Sequence, residues 1–110
     1  MTTRKKKIQQ TEDKRVHDYE LVVIISPEVV DEALETKIDD ISKLITGKEG
    51  VISTVEQWGK RKLSYPIKHF AEGNYVLAKF KMDPKWSKEL EATLLISEEI
   101  LRHLLVRLNS

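Results

Sequence analysis

Two hydrophobic rhythms alternate along most of this chain, and their order predicts its elements. Residues 19–25, Tyr-Glu-Leu-Val-Val-Ile-Ile, form a β-branched run nearly continuous in hydrophobicity, as expected of a central strand. Ser26-Pro27 follows as a cap candidate with proline at the first helical position, and Glu28, Asp31 and Glu32 suit the positive end of a helix dipole. Val30, Leu34, Ile38, Ile41 and Ile45 then recur at spacings of three or four, which predicts a helix ending at Gly47 and Gly50. Residues 51–67 read as a long strand. Its parity groups Glu56, Trp58, Lys60, Lys62 and Ser64 on one face and Val55, Leu63, Tyr65 and Ile67 on the other, and the apolar set is assigned to the helices. Pro66 cannot donate to a ladder, so that end of the strand should be an edge or lie outside the pairing.

Residues 69–74 read as a loop, and residues 75–82 alternate again, with Val76, Ala78, Phe80 and Met82 inward and Tyr75, Leu77, Lys79 and Lys81 outward. Strands two and three should therefore form a hairpin. Asp83-Pro84 repeats the cap-then-proline start, and Trp86, Leu90 and Leu94 carry a stripe through a second helix, which makes Trp86 a core residue. Residues 100–108 are short, branched and apolar enough for a last strand, with helix as the competitor because of the leucines. The order β-α-β-β-α-β predicts an α+β, ferredoxin-like fold: a four-stranded antiparallel sheet with both helices on one face. The other face should be open and should collect Trp58, Lys60, Lys62, Tyr75, Lys79, His103 and Arg107, while Tyr65 falls on the core parity.

The 110 residues suffice for one domain, and 40% hydrophobic against 34% charged residues indicates a globular chain with a real core. A formal charge of +1 conceals a segregation. Residues 1–17 carry six basic and two acidic residues, a net of +4, whereas residues 18–110 carry thirteen basic and sixteen acidic, a net of −3. The expected organisation is a basic tail over 1–17 and a folded RNA-binding domain over 18–110. Arg4, Lys5, Lys6 and Lys7 could serve as an arm for polyanions or merely as solubilising charge, and composition alone leaves both open. No apolar run approaches the roughly 18 residues of a membrane span, the first residues are charged where a signal peptide is apolar, and there is no cysteine. A cytoplasmic protein with no membrane association is expected.

Catalysis finds little support. There is no cysteine nucleophile, His17, His69 and His103 are far apart without ligand spacing, and the motifs of serine hydrolases and zinc peptidases are missing. The first strand-to-helix junction, Ser26-Pro27-Glu28, lacks glycine and places a carboxylate where a phosphate would sit. No cofactor, metal or small-molecule substrate is expected. Nucleic acid is the better candidate, because Lys and Arg neutralise phosphates while aromatic rings stack on bases. Trp58-Gly59-Lys60-Arg61-Lys62 is the richest local source. The competing reading is that Trp58 packs against a neighbouring strand or covers the sheet edge while the lysines are simply solvated. The alternating aromatics of an RNA-recognition-motif domain are missing, since Tyr75 is followed by Leu77 and Lys79. Docking on structured RNA, with a protein partner covering the apolar remainder, fits better than base-by-base reading. The alternative is a protein-interaction or ligand-sensing module on the same fold, burying Trp58 and Leu77 against a copy of itself without meeting RNA.

One set of residues carries a specific likeness: Tyr19-Glu20 opening the first strand, the stretch Trp58-Gly59-Lys60-Arg61-Lys62-Leu63-Ser64-Tyr65-Pro66-Ile67-Lys68, Gly73-Asn74-Tyr75, and Ile100-Leu101-Arg102-His103. In these, residues 19–108 resemble the family of bacterial-type ribosomal protein six of the small subunit. The resemblance implies a scaffold without a reaction, which binds the central domain of small-subunit ribosomal RNA together with ribosomal protein eighteen of the same subunit. It implies RNA or partner contact for Lys60, Arg61, Lys62 and Arg102, and a framework role for Leu63, Tyr65 and Ile67. Lys62 departs from the family pattern, which often shows arginine there, and so keeps the charge without bidentate geometry. The basic N-terminal segment is a second departure. The candidate contact set is thus Trp58, Lys60, Arg61, Lys62, Lys79, Arg102 and Arg107, with Arg4, Lys5, Lys6 and Lys7 added from the tail.

Overall fold

The computed structural model describes residues 16–108, so Arg4, Lys5, Lys6 and Lys7 lie outside the described residues. Strand β1 (His17–Ile25) is followed by helix α1 (Asp31–Thr46) and strands β2 (Val51–Ile67) and β3 (Phe70–Met82). A 3-10 turn (Pro84–Trp86) then leads into helix α2 (Ser87–Ile96) and strand β4 (Ile100–Arg107). The sheet order is β2-β3-β1-β4 with every neighbouring pair antiparallel, the ferredoxin-like arrangement that the hydrophobic pattern predicts.

Both helices pack on one side. Ile38, Ile41 and Ile45 of α1 and Leu90 and Leu94 of α2 form one cluster with Tyr19, Leu21, Val23 and Ile25 of β1 and Val76, Ala78, Phe80 and Met82 of β3. Trp86 packs against this cluster, in line with its place on the helical stripe. Tyr19 and Phe80 are directly opposite in register, and their rings stack at 5.6 Å between centroids with planes 17° apart.

Three local features differ from the sequence reading. The Ser26-Pro27 pair forms a turn, and α1 starts at Asp31 with no side-chain cap on its first residues. Ser26 is held elsewhere: its N–H donates to Glu99 O at 2.8 Å, and buried Asn74 donates from Nδ2 to both Ser26 O and Val29 O at 3.1 Å. The segment must leave this anchorage before it can coil. At the second junction Asp83 accepts from Lys85 N–H at 3.0 Å as a cap should, but it opens the 3-10 turn, with α2 following. The hairpin loop is two residues long, Lys68-His69, with φ of 50° and 74°, so the segment expected as a loop over 69–74 is mostly β3. Two positive φ values are the signature of a tight hairpin turn, normally announced by Asn-Gly, and Lys-His gives no such signal.

Candidate nucleic-acid interface

Residues directly opposite each other in an antiparallel pair share a face, so the register assigns every side chain of the sheet. On the side away from the helices lie Glu20, Val22 and Ile24 of β1 opposite Val106, Leu104 and Arg102 of β4, together with Tyr75, Leu77 and Lys79 of β3. His103 and Arg107, expected on this open face, are on the other one. They pair with Val23 and Tyr19 of the helix-covered side. The cause is an irregularity between Ile24 and Ile25, where Leu101 is an extra residue and inverts the parity of all that follows in β4. His103 Nε2 accordingly meets Glu91 Oε1 of α2 at 2.9 Å. Arg107 stands beside the Tyr19 phenol, whose pKa is pushed up by burial and drawn partly back by the guanidinium.

Strand β2 is inverted in the same way. Glu56 faces Leu77 on the open side, Gln57 faces Val76, and the next paired residue is Gly59, opposite Tyr75. Trp58 is the extra residue of a bulge, and Gly59 takes φ of +87°, a backbone state that L side chains rarely adopt. Beyond the bulge Arg61, opposite Gly73, joins the open face, while Lys60 and Lys62 pass to the other parity opposite Asn74 and Glu72. No helix covers this length of strand: every residue over 55–62 is exposed, so Lys60 and Lys62 reach solvent from the side opposite to the one assigned. A further irregularity between Lys62 and Ile67 takes Pro66 out of the ladder, as its missing N–H requires.

The inversion also moves Tyr65, which is 55% exposed and not in the core. Its hydroxyl accepts from Arg102 Nη1, so the two edge strands are linked across the open face above Ile24 and Tyr75. Sequence parity hid this link by placing Tyr65 inward. Gly59, inside an otherwise continuous strand, was the signal that could have revealed the bulge.

The resulting surface has two zones. Val22, Ile24, Tyr75, Arg102, His103 and Leu104 line an open depression of about 270 Å³, bordered by Leu104 at 58% exposure and Val106 at 39%. The distal hairpin carries the charge: between Trp58 and Ala71 stand Lys60, Arg61, Lys62 and Lys68 and no acidic residue. Trp58 Nε1 donates to Glu56 Oε1 at 3.0 Å, and the Arg61 guanidinium lies 5.3 Å from its ring centroid. Lys79 stands 3.9 Å from Glu20, and Lys60 4.0 Å from Glu72; both are exposed pairs that leave the lysines accessible. Among the described residues there is no group of His, Cys, Asp and Glu able to hold a metal, and no helix long and apolar enough to cross a membrane.

A ferredoxin-like sheet with one face free, apolar at one edge and basic along a projecting hairpin, defines a docking module. The sequence pattern of the family described as Ribosomal protein S6 matches residues 18–107. The small ribosomal subunit protein bS6 of Moorella thermoacetica is 38% identical over 93 residues, covering 84% of this chain and 95% of its own length. That of Dehalococcoides mccartyi is 40% identical over 96 residues, covering 87% and 88%. The crystal structure of 30S ribosomal protein S6 from Thermotoga maritima superposes with a TM-score of 0.81 at 35% identity, covering 84% of this chain and 88% of that one. The chain belongs to the ribosomal protein S6 family: it is a protein of the small subunit of the cytoplasmic ribosome, in a family of structural and not enzymatic proteins.

Proposed function

We propose that this chain binds small-subunit ribosomal RNA together with ribosomal protein eighteen of the same subunit, as a scaffold for assembly and translation. The observation that carries the reading is the uncovered sheet face, where Leu104, Val106 and Tyr65 remain exposed beside Arg61, Arg102 and Lys79. Apolar side chains left in solvent after folding gain by meeting a second protein, and an unbroken run of cations on the hairpin gains by meeting phosphate. Trp58, Lys60, Arg61, Lys62, Lys79 and Arg102 are the contacts this assigns. Arg107 is left out because it stands beside Tyr19 on the helix-covered side. Arg4 to Lys7 would extend the contact along the RNA.

The net charge of −3 over residues 18–110 sets a limit on RNA affinity without the tail, so the partner must contribute positive charge and the two bindings should cooperate. The test is titration of a central-domain ribosomal RNA fragment with the full chain, alone and with the partner protein, across a salt series. Weak binding alone and tight binding with the partner are expected. Replacing Lys60, Arg61 and Lys62 by alanine should lower the slope of log affinity against log salt by up to about 3, close to one per phosphate contact. Tight, specific RNA binding by the chain alone with no gain from the partner overturns the cooperative reading. Self-association that is untouched by the triple substitution, with no RNA binding, would instead establish a protein-interaction module.

A further inference from the structure

We propose that Trp58 is a stacking platform for a single unpaired base of the RNA, an interaction separate from the phosphate contacts of the cations around it. This rests on the RNA-binding reading above and adds to it the kind of nucleotide that the hairpin takes.

The bulge is the first support. As the extra residue between Gln57 and Gly59, Trp58 owes its orientation to an irregularity that interrupts the ladder, not to pairing with β3. Bulges of this kind re-aim side chains. The ring stays 39% exposed, although it is the largest side chain on the strand. Trp86, the second tryptophan, shows what a packing role looks like: its ring lies against the core with Lys48 and Lys85 at 5.8 and 5.1 Å, and its indole nitrogen is buried.

The ring is also held in place before any ligand arrives. Glu56 accepts its only hydrogen-bond donor, and Arg61 lies over the ring at 5.3 Å, so the π-face is presented without a polar group left to select a base edge. Stacking on such a surface is tolerant of base identity, and an arginine beside it adds a cation–π contribution. Space is available next to the ring: a Cβ built at Gly59 would find no heavy atom within 4 Å. The positive φ explains why the residue is glycine, and the emptiness leaves room for a base.

The surroundings favour nucleic acid over protein as the occupant. An apolar anchor seated on Trp58 would have to desolvate Arg61, Lys60 and Lys62, whereas the phosphates flanking a splayed base would be met by the same cations. A paired duplex cannot insert a base, so the ligand is a loop, bulge or end of the RNA.

The experiment uses the full chain with its partner protein and the central-domain ribosomal RNA fragment, with a fully paired RNA duplex as control. W58A should weaken binding of the fragment by roughly 5- to 100-fold, the range of a lost base–aromatic stack, with an unchanged salt slope because no cation is removed. W58F releases Glu56 just as W58A does but keeps a ring, so it should restore most of the affinity. With Trp58 as sole reporter in a W86F background, fluorescence should be quenched by the fragment and not by the duplex. Equal affinity of W58A and wild type for the fragment overturns the proposal, as does an equal loss for fragment and duplex. A W58A defect confined to binding of the partner protein overturns it in favour of a protein contact. If the wild-type assembly binds no RNA at all, the underlying reading fails first, and the two failures are thereby distinguished.

Discussion

On β1, Leu21 and Val23 are fully buried beneath the two helices, while Val22 between them lies on the opposite side, partly in solvent and opposite an exposed Leu104. The two faces of this sheet are both substantially apolar; what separates them is cover. On the helix side the hydrophobic effect has been used within the chain, at about 1.5–3 kcal/mol for each large side chain buried. On the open side Ile24 and Leu77 are buried among their neighbours, but Leu104, Val106 and Tyr65 keep exposed area whose burial waits for a partner. A protein that only had to fold would gain nothing from this distribution.

Substitutions should therefore separate the faces. The largest effect is expected at Phe80, fully buried and stacked on Tyr19: Phe80→Ala should cost about 3–5 kcal/mol in chemical denaturation. Gly73→Ala tests whether the open face is itself close-packed. A Cβ there would lie 2.4 Å from Ile24 Cγ2, so a loss of about 1–3 kcal/mol is expected, and no loss would show that Ile24 moves freely. Leu104→Ala should change the stability of the free chain by less than about 0.5 kcal/mol, yet weaken capture of the partner protein measured by calorimetry. A large stability loss there would mean that the open face belongs to the core after all.

The smallest effect concerns Tyr19. Burial raises its phenol pKa in the folded state, so the folded chain holds that proton longer than the unfolded chain. The stability this represents is complete below the ordinary tyrosine pKa of about 10 and is lost as pH rises through the folded value. Tyr19→Phe should flatten the decline of thermal stability at alkaline pH. An unchanged profile would locate that decline in the lysines.

Periodicity made the element order, the bounds of β2, the helical stripes and the single helix-covered face legible. Its failures share a cause. Strand parity has a period of two, so one extra residue inverts everything downstream, and β2 and β4 each contain such a residue, Trp58 and Leu101. Hence Lys60 and Lys62 exchanged faces with Leu63 and Tyr65, and His103 and Arg107 with Arg102 and Leu104. The Lys68-His69 turn and the anchorage of Ser26 by Asn74 and Glu99 escaped for a different reason: their geometry is imposed by distant residues and leaves no local pattern. The basic stretch itself was readable because charge and exposure on an uncovered hairpin do not depend on parity.

The central claim is that the side of the sheet away from the helices is where this protein joins the ribosome. Hydroxyl-radical footprinting of side chains, comparing the free chain with the chain in assembled small subunits, addresses it directly. Trp58, Tyr65 and Leu104 should become protected, while Leu95 and Ile96, exposed at the end of α2, should stay reactive. Protection of Leu95 and Ile96 with Trp58, Tyr65 and Leu104 still reactive would place the contact on the helix layer and contradict the account.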